Sequence, residues 1–142
     1  MAALTVARNT DHLGDYPLIH LWRVKVKANT KIFAGSAVVI DAGYAAPART
    51  ATGLLTAGRA EQTVDNTGGA AGAKVIEIRR GCFGWNNSGG GDAIGDADIG
   101  KICYFVDDNT VALTDGTGTR SAAGRIMQIE GGQVYVTTGV LV

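Results

Sequence analysis

Twenty-one of the 142 residues are glycine and only two are proline, and this constrains the fold more than any other feature of the chain. Glycine takes positive φ at no steric cost and weakens a helix interior, so glycines dispersed among apolar runs mark tight turns between short elements. The intervening runs alternate with a period of two. From Ile19, IHLWRVKVK places Trp22, Val24 and Val26 on one face of a strand and Arg23, Lys25 and Lys27 on the other. No amphipathic helix of three turns can be drawn; ADIGK makes at most a single turn. The chain is therefore expected to be all-β, a single compact sandwich or barrel of about eight to ten short strands with turns every ~8–12 residues.

Along the chain, residues 1–17 (MAALTVARNTDHLGDYP) show neither period and read as an extended N-terminal arm, leaving 18–142 as the β domain. KIFAG and SAVVID follow, split by Gly35, as two strands or one bent one. AGYAAPARTATG reads as a connector, LLTAGRAEQTV as a weak strand and TVDNTGGAAGA as a loop. KVIEIRRGCFGW alternates along its length, and KICYFVD, TVALTD, GRIMQIE and QVYVTTGVLV complete the set. Gly131-Gly132 between the last two is a two-residue hairpin signal. DDNTVALTDGTGTRSAAGR, residues 107–125, reads as turn, short strand, loop and then a strand from Gly124, a connector rather than a catalytic loop.

Composition narrows the function classes. Thirteen basic residues balance thirteen acidic ones, so no global charge recruits nucleic acid or a membrane. Charged residues are 18% of the chain, below the ~25% usual for soluble domains. Low charge density at net neutrality argues for an assembly rather than a freely soluble monomer. No apolar run approaches the ~20 residues of a membrane helix, and charges at Arg8, Asp11 and Asp15 interrupt any signal-peptide core. Cys82 and Cys103 are too few for a disulfide scaffold and read as reduced, buried or half-buried thiols, with a single bridge between neighbouring strands as the other possibility.

Each near-motif has an ordinary explanation. Gly95 to Lys101 has the spacing of a phosphate-binding loop, but Ile102 stands where Ser or Thr would hold magnesium, and it opens a strand. Asp92, Asp96 and Asp98 lack the spacing and terminal Glu of a calcium loop and read as turn acids. His12 and His20 form no zinc pattern, and no Gly-x-Ser-x-Gly elbow surrounds Ser36, Ser88 or Ser121. No catalytic residue, metal or cofactor is expected. Cys82-Phe83-Gly84-Trp85 before Asn86-Asn87 has the makings of an aromatic sugar platform or, more commonly, of a strand end packed in the core. The basic stripe Arg23, Lys25, Lys27, extended by Lys31, fits either a solvated edge strand or contact with an acidic protein surface.

Taken in order, five blocks resemble tailed-phage capsid decoration (cement) proteins and prophage structural genes: ANTKIFAGSAVVIDAGYAAPA, GRAEQTVDNTGGAAGA, RRGCFGW, DIGKICYFVDDNTVALTDGTGTRSAAGRI and GGQVYV, in a resemblance that covers residues 28 to 138. The resemblance implies a β domain on the outside of an icosahedral head, commonly a trimer clamping neighbouring major capsid subunits after the shell expands. It implies no catalytic residues. The expected partners are the major capsid protein and further copies of this chain in a homotrimer, with no nucleic acid and no membrane. The expected location is the virion surface, after synthesis in a bacterial host cytoplasm. For capsid contact the candidates are Arg8, Arg23, Lys25 and Lys27 as polar groups and Leu4, Val6, Leu13 and Tyr16 as apolar anchors from the arm. The alternative readings are a carbohydrate- or host-surface-binding module and another virion component such as a tail subunit.

Overall fold

A computed structural model describes residues 5–9 and 20–140. Most of the proposed arm, including Leu4, Leu13 and Tyr16, lies outside the described residues. The rest is all-β, with twelve strands: β1 Leu21–Lys25, β2 Thr30–Ile32, β3 Ala37–Asp41, β4 Tyr44–Pro47, β5 Leu55–Ala60, β6 Val64–Asn66, β7 Val75–Arg79, β8 Gly81–Asn87, β9 Ile102–Phe105, β10 Thr110–Ala112, β11 Ala122–Glu130 and β12 Gln133–Thr138. Two short 3-10 turns, Gly90–Asp92 and Asp96–Asp98, stand between β8 and β9.

The strands form two bodies packed side by side. In the C-terminal half, β10-β8-β12-β11-β9 close into a five-stranded barrel, with β8 and β10 parallel and the remaining pairs antiparallel. Closure leaves no sheet edge along the fully paired stretches. In the N-terminal half, β1-β7-β5-β3-β4 form an antiparallel sheet, with β2 and β6 paired beside it. This sheet curls until its ends approach: Val26 and Ala45 form a parallel bridge, and the Lys27 N–H donates to the Ala45 carbonyl at 3.0 Å.

Two apolar clusters match the two bodies. The first gathers Trp85, Cys103, Phe105, Val111, Ile126, Val134 and Val136 from the barrel with Ala37, Val39, Ala46, Ala48 and Leu54 from the sheet. The second, inside the curl, contains Val26, Ile32, Val38, Ala45, Ala57, Ala60, Ile76 and Ile78. β3 serves both, since Ala37 and Val39 face the first cluster and Val38 the second. That is why SAVVI reads as a continuous apolar run rather than an alternating one. Each such valine or isoleucine contributes roughly 1.5–3 kcal/mol by burial.

The structure departs from the sequence reading at several points. The connector AGYAAPARTATG contains β4, joined to β3 by a two-residue turn at Ala42 and Gly43, both at positive φ (48° and 89°). Pro47 ends β4, which is the outer strand of the sheet, where a missing N–H removes no ladder bond. The loop TVDNTGGAAGA begins with β6, whose Asn66 is buried and donates from its side-chain amide to the carbonyls of Lys27 and Ala70, each at 3.0 Å. KVIEIRRGCFGW is two strands, β7 in the sheet and β8 in the barrel, and the chain crosses between the bodies at Arg80. Strand β11 starts at Ala122, two residues ahead of Gly124, with a bulge between them. The Gly131-Gly132 hairpin forms as expected, both glycines at positive φ and Glu130 opposite Gln133.

Candidate functional site

Strand β1 is the outer strand of the curled sheet, antiparallel to β7 with Leu21 opposite Arg79, Arg23 opposite Glu77 and Lys25 opposite Val75. Trp22 and Val24 point inward onto the second cluster, and Arg23 and Lys25 are exposed on the opposite face. The face is more evenly charged than the sequence stripe implied. Arg23 meets Glu77 at 3.4 Å, and Arg59 and Arg79 both reach Glu61, at 3.0 and 2.7 Å. Burial alone would raise the Glu61 carboxyl, but hydrogen bonds from Arg59 and Arg79 hold it below its ordinary range. Lys27 turns away and pairs with Asp41 at 2.7 Å, and Arg49 reaches the same carboxylate at 3.0 Å. The hydrogen bond from Lys27, then that from Arg49, keeps Asp41 ionised to lower pH than usual. Lys25 has no acidic partner among the described residues, and Lys31 sits over the exposed Phe33 ring at 4.8 Å.

Of the arm candidates, Val6 and Arg8 are described and both are exposed, Val6 at 76%. The candidates therefore divide into Arg23 and Lys25, which share one exposed strand face, and Lys27, which is tied to Asp41. Arg23 is held weakly: an exposed ion pair of this kind is worth about 0–1 kcal/mol and exchanges easily for a partner's carboxylate.

The aromatic segment on β8 resolves as core. Trp85 is buried, its indole N–H donates to Thr138 Oγ1 at 3.0 Å, and Phe83 packs edge-on to it at 6.2 Å. Asn87 is turned to the backbone, exchanging hydrogen bonds with Ile94 N–H and C=O at 2.9 Å each. Trp85 thus presents no exposed face, and the half-buried Phe83 ring lies under the Arg59 guanidinium at 4.5 Å. Two of the three turn acids are likewise engaged: Asp92 pairs with Arg120 at 3.3 Å, and Asp98 with Lys101 at 3.0 Å and the Gly95 N–H at 2.9 Å. Among the described residues no group of three or more His, Cys, Asp or Glu could hold a metal ion.

The thiols differ from expectation in one respect. Cys103 is buried, and desolvation pushes its pKa up to about 12; Cys82 is exposed rather than buried or half-buried. Both are free, and β8 and β9 are not neighbours in the barrel, so no bridge between paired strands joins them.

A cleft of about 220 Å³ opens where the two bodies meet, between the turn linking β2 to β3 and the turn linking β9 to β10. Phe33, Ala34, Gly35, Ser36, Asp108 and Asn109 line it. Both walls are fixed by backbone: Ser36 Oγ donates to the Phe33 carbonyl at 2.7 Å, the Ala37 N–H to the Asp108 carbonyl at 2.8 Å and the Asn86 N–H to the Asn109 carbonyl at 2.8 Å. Phe33 is 57% exposed. Asp108 is half-buried and has no cationic partner among the described residues; burial, then the charge of Asp107, raises its carboxyl above the ordinary range. Nothing in the sequence marks this place, because Phe33 reads as a strand residue and Asp108 as a turn acid, 75 positions apart by number (108 − 33).

Comparison with protein-family models, with curated proteins and with solved structures finds no match to this chain.

Proposed function

We propose that the chain is a structural, non-catalytic virion protein that binds the outer surface of a phage capsid and stabilises the expanded head, as a trimer bridging major capsid subunits. The observation that carries this reading is the placement of Arg23 and Lys25 on the exposed face of β1, the outer strand that follows the N-terminal segment in the chain. The arm candidates and the strand candidates are thereby offered in sequence along one stretch of chain. The five sequence blocks that resemble decoration proteins support it, as does an all-β body with two cores, which suits a clamp that must hold its shape under load. Binding to the expanded shell alone stabilises that shell by mass action, and several modest contacts per subunit gain from multivalency. The carbohydrate-binding alternative loses its platform with Trp85 in the barrel core.

Mass photometry of the purified protein, alone and with expanded, DNA-free heads, tests the reading. A trimer that co-migrates with heads, and whose binding drops on Lys25→Glu or on removal of residues 1–17, supports it. A monomer, or an oligomer that ignores heads, overturns it; a hexameric ring points instead to a tail component.

A further inference from the structure

The cleft between Phe33 and Asp108 has no role in the reading above. At about 220 Å³ it is smaller than the ~300–1,000 Å³ of small-molecule and cofactor sites, and it has room for about one side chain. Its acceptors are a carboxylate and a hydroxyl. The Asp108 carboxylate is unpaired among the described residues, and Ser36 Oγ donates to the Phe33 carbonyl at 2.7 Å, so it meets a ligand as an acceptor; Asn109 Oδ1 is already used, accepting from the Thr110 hydroxyl at 2.9 Å. Asp107 adds a second negative charge beside it, one oxygen of which accepts from the Asn109 N–H at 2.9 Å. One cation, Lys31, stands nearby over the Phe33 ring, against the two carboxylates of Asp107 and Asp108. The local balance is therefore negative, beside an exposed aromatic face.

We propose that the Phe33–Asp108 cleft is a docking site for a single arginine side chain presented by a partner protein. Arginine fits on three counts. Guanidinium carries five donors and no acceptor, matching the Asp108 carboxylate and the Ser36 hydroxyl oxygen. Its planar fork meets a carboxylate with two parallel hydrogen bonds. Its flat face stacks on an aromatic ring, and Phe33 is 57% exposed; Lys31 lies over one face at 4.8 Å, so the guanidinium takes the other face or displaces it. A half-buried carboxylate gains more from such a partner than a solvated one, because the charge-assisted bond forms where water competes less. The site sits where the two bodies join, so an arginine seated there contacts both turns at once. The proposal rests on the capsid reading only for the source of the arginine.

The test uses the whole chain without heads, so its failure and the failure of the capsid reading are separate results. Isotope-labelled protein is titrated with N-acetyl-argininamide, with uncharged N-acetyl-citrullinamide and with N-acetyl-lysinamide, following backbone amide shifts. Saturable shifts at Gly35, Ser36, Ala37 and Asn109, half-complete on the order of 10 mM, are expected with the arginine probe. The citrulline probe should bind at least about tenfold more weakly, the loss of one charge-assisted contact. Asp108→Asn should weaken the arginine probe by a similar factor while Asp107→Asn changes it less. Equal responses to arginine and citrulline on the unaltered protein, or no saturable shift, overturn the site without recourse to a variant. Equal binding of the lysine probe overturns the choice of arginine.

Discussion

The Trp85 indole N–H donates to Thr138 Oγ1 at 3.0 Å across neighbouring barrel strands, with both side chains buried. Thr138 passes its own proton to the Val136 carbonyl at 3.0 Å, so the hydroxyl is used as donor and acceptor. Replacing it by the near-isosteric valine leaves a buried indole N–H without a partner, at a cost of about 1–3 kcal/mol. Thr138→Val should lower the urea midpoint accordingly and Thr138→Ser should largely preserve it; equal midpoints for all three proteins would show that the bond contributes nothing net.

Two glycines test how tightly the bodies are joined. Gly139 lies at φ 85° after β12, its N–H bonds to Thr56 Oγ1 at 2.9 Å, and an added Cβ would stand 2.3 Å from the Ala57 carbonyl oxygen. Gly139→Ala must therefore separate the barrel from β5 as well as strain the backbone. A loss of about 3 kcal/mol, or ~10 °C in Tm, is expected. Gly131→Ala, at φ 61° with nothing within 4 Å, should cost about 1 kcal/mol through the backbone alone. Calorimetry of the two variants separates packing from strain.

Asp41 supplies a pH dependence with a definite sign. Hydrogen bonds from Lys27 and Arg49 lower its pKa in the folded chain from the ordinary 3.8. A depressed folded-state pKa gives stability that is fully present above 3.8 and is lost as pH falls through the folded value. Asp41→Asn should be less stable than the unaltered protein at pH 7, and the difference should shrink as pH falls below 3.8. Denaturant midpoints at pH 7, 5, 4 and 3 measure the gap; a constant gap would mean that the carboxylate charge is not what Lys27 and Arg49 recognise.

The two thiols should separate cleanly by reactivity. Exposed Cys82 should take one maleimide label on the folded protein, more slowly than free cysteine because desolvation by neighbouring protein atoms raises its pKa. Buried Cys103, with its thiol pushed up to about 12, should label only after denaturation. Intact-mass spectra showing two labels under native conditions would mean that the barrel opens on the labelling timescale.

Fold class was legible because it depends on local physics. Dispersed glycines, period-two alternation in LWRVK and VIEIR, and Gly131-Gly132 each act within a few residues of chain. The strands that escaped notice are the two whose local chemistry is atypical. β4 is alanine-rich, ends in Pro47 and follows a turn built on Ala42 at positive φ, a place where Asn or Gly is the usual signal. β6 is three residues long and is held by the buried amide of Asn66, which reaches the remote Lys27 carbonyl as well as that of Ala70 in the loop that follows.

By itself the sequence determined that this protein is a β protein of short strands, that Trp22, Val24 and Val26 face inward, and that its last two strands form a hairpin. Those are consequences of side-chain alternation and turn stereochemistry, which extend only a few residues. Tertiary structure decided what depends on contacts between distant segments: the division into a closed barrel and a curled sheet, the burial of Trp85, the pairing of Arg23 with Glu77 and of Lys27 with Asp41, and the meeting of Phe33 with Asp108. A side chain's charge or apolar surface is written in the sequence, but its partner is chosen only when strand order brings two remote stretches within a few ångströms.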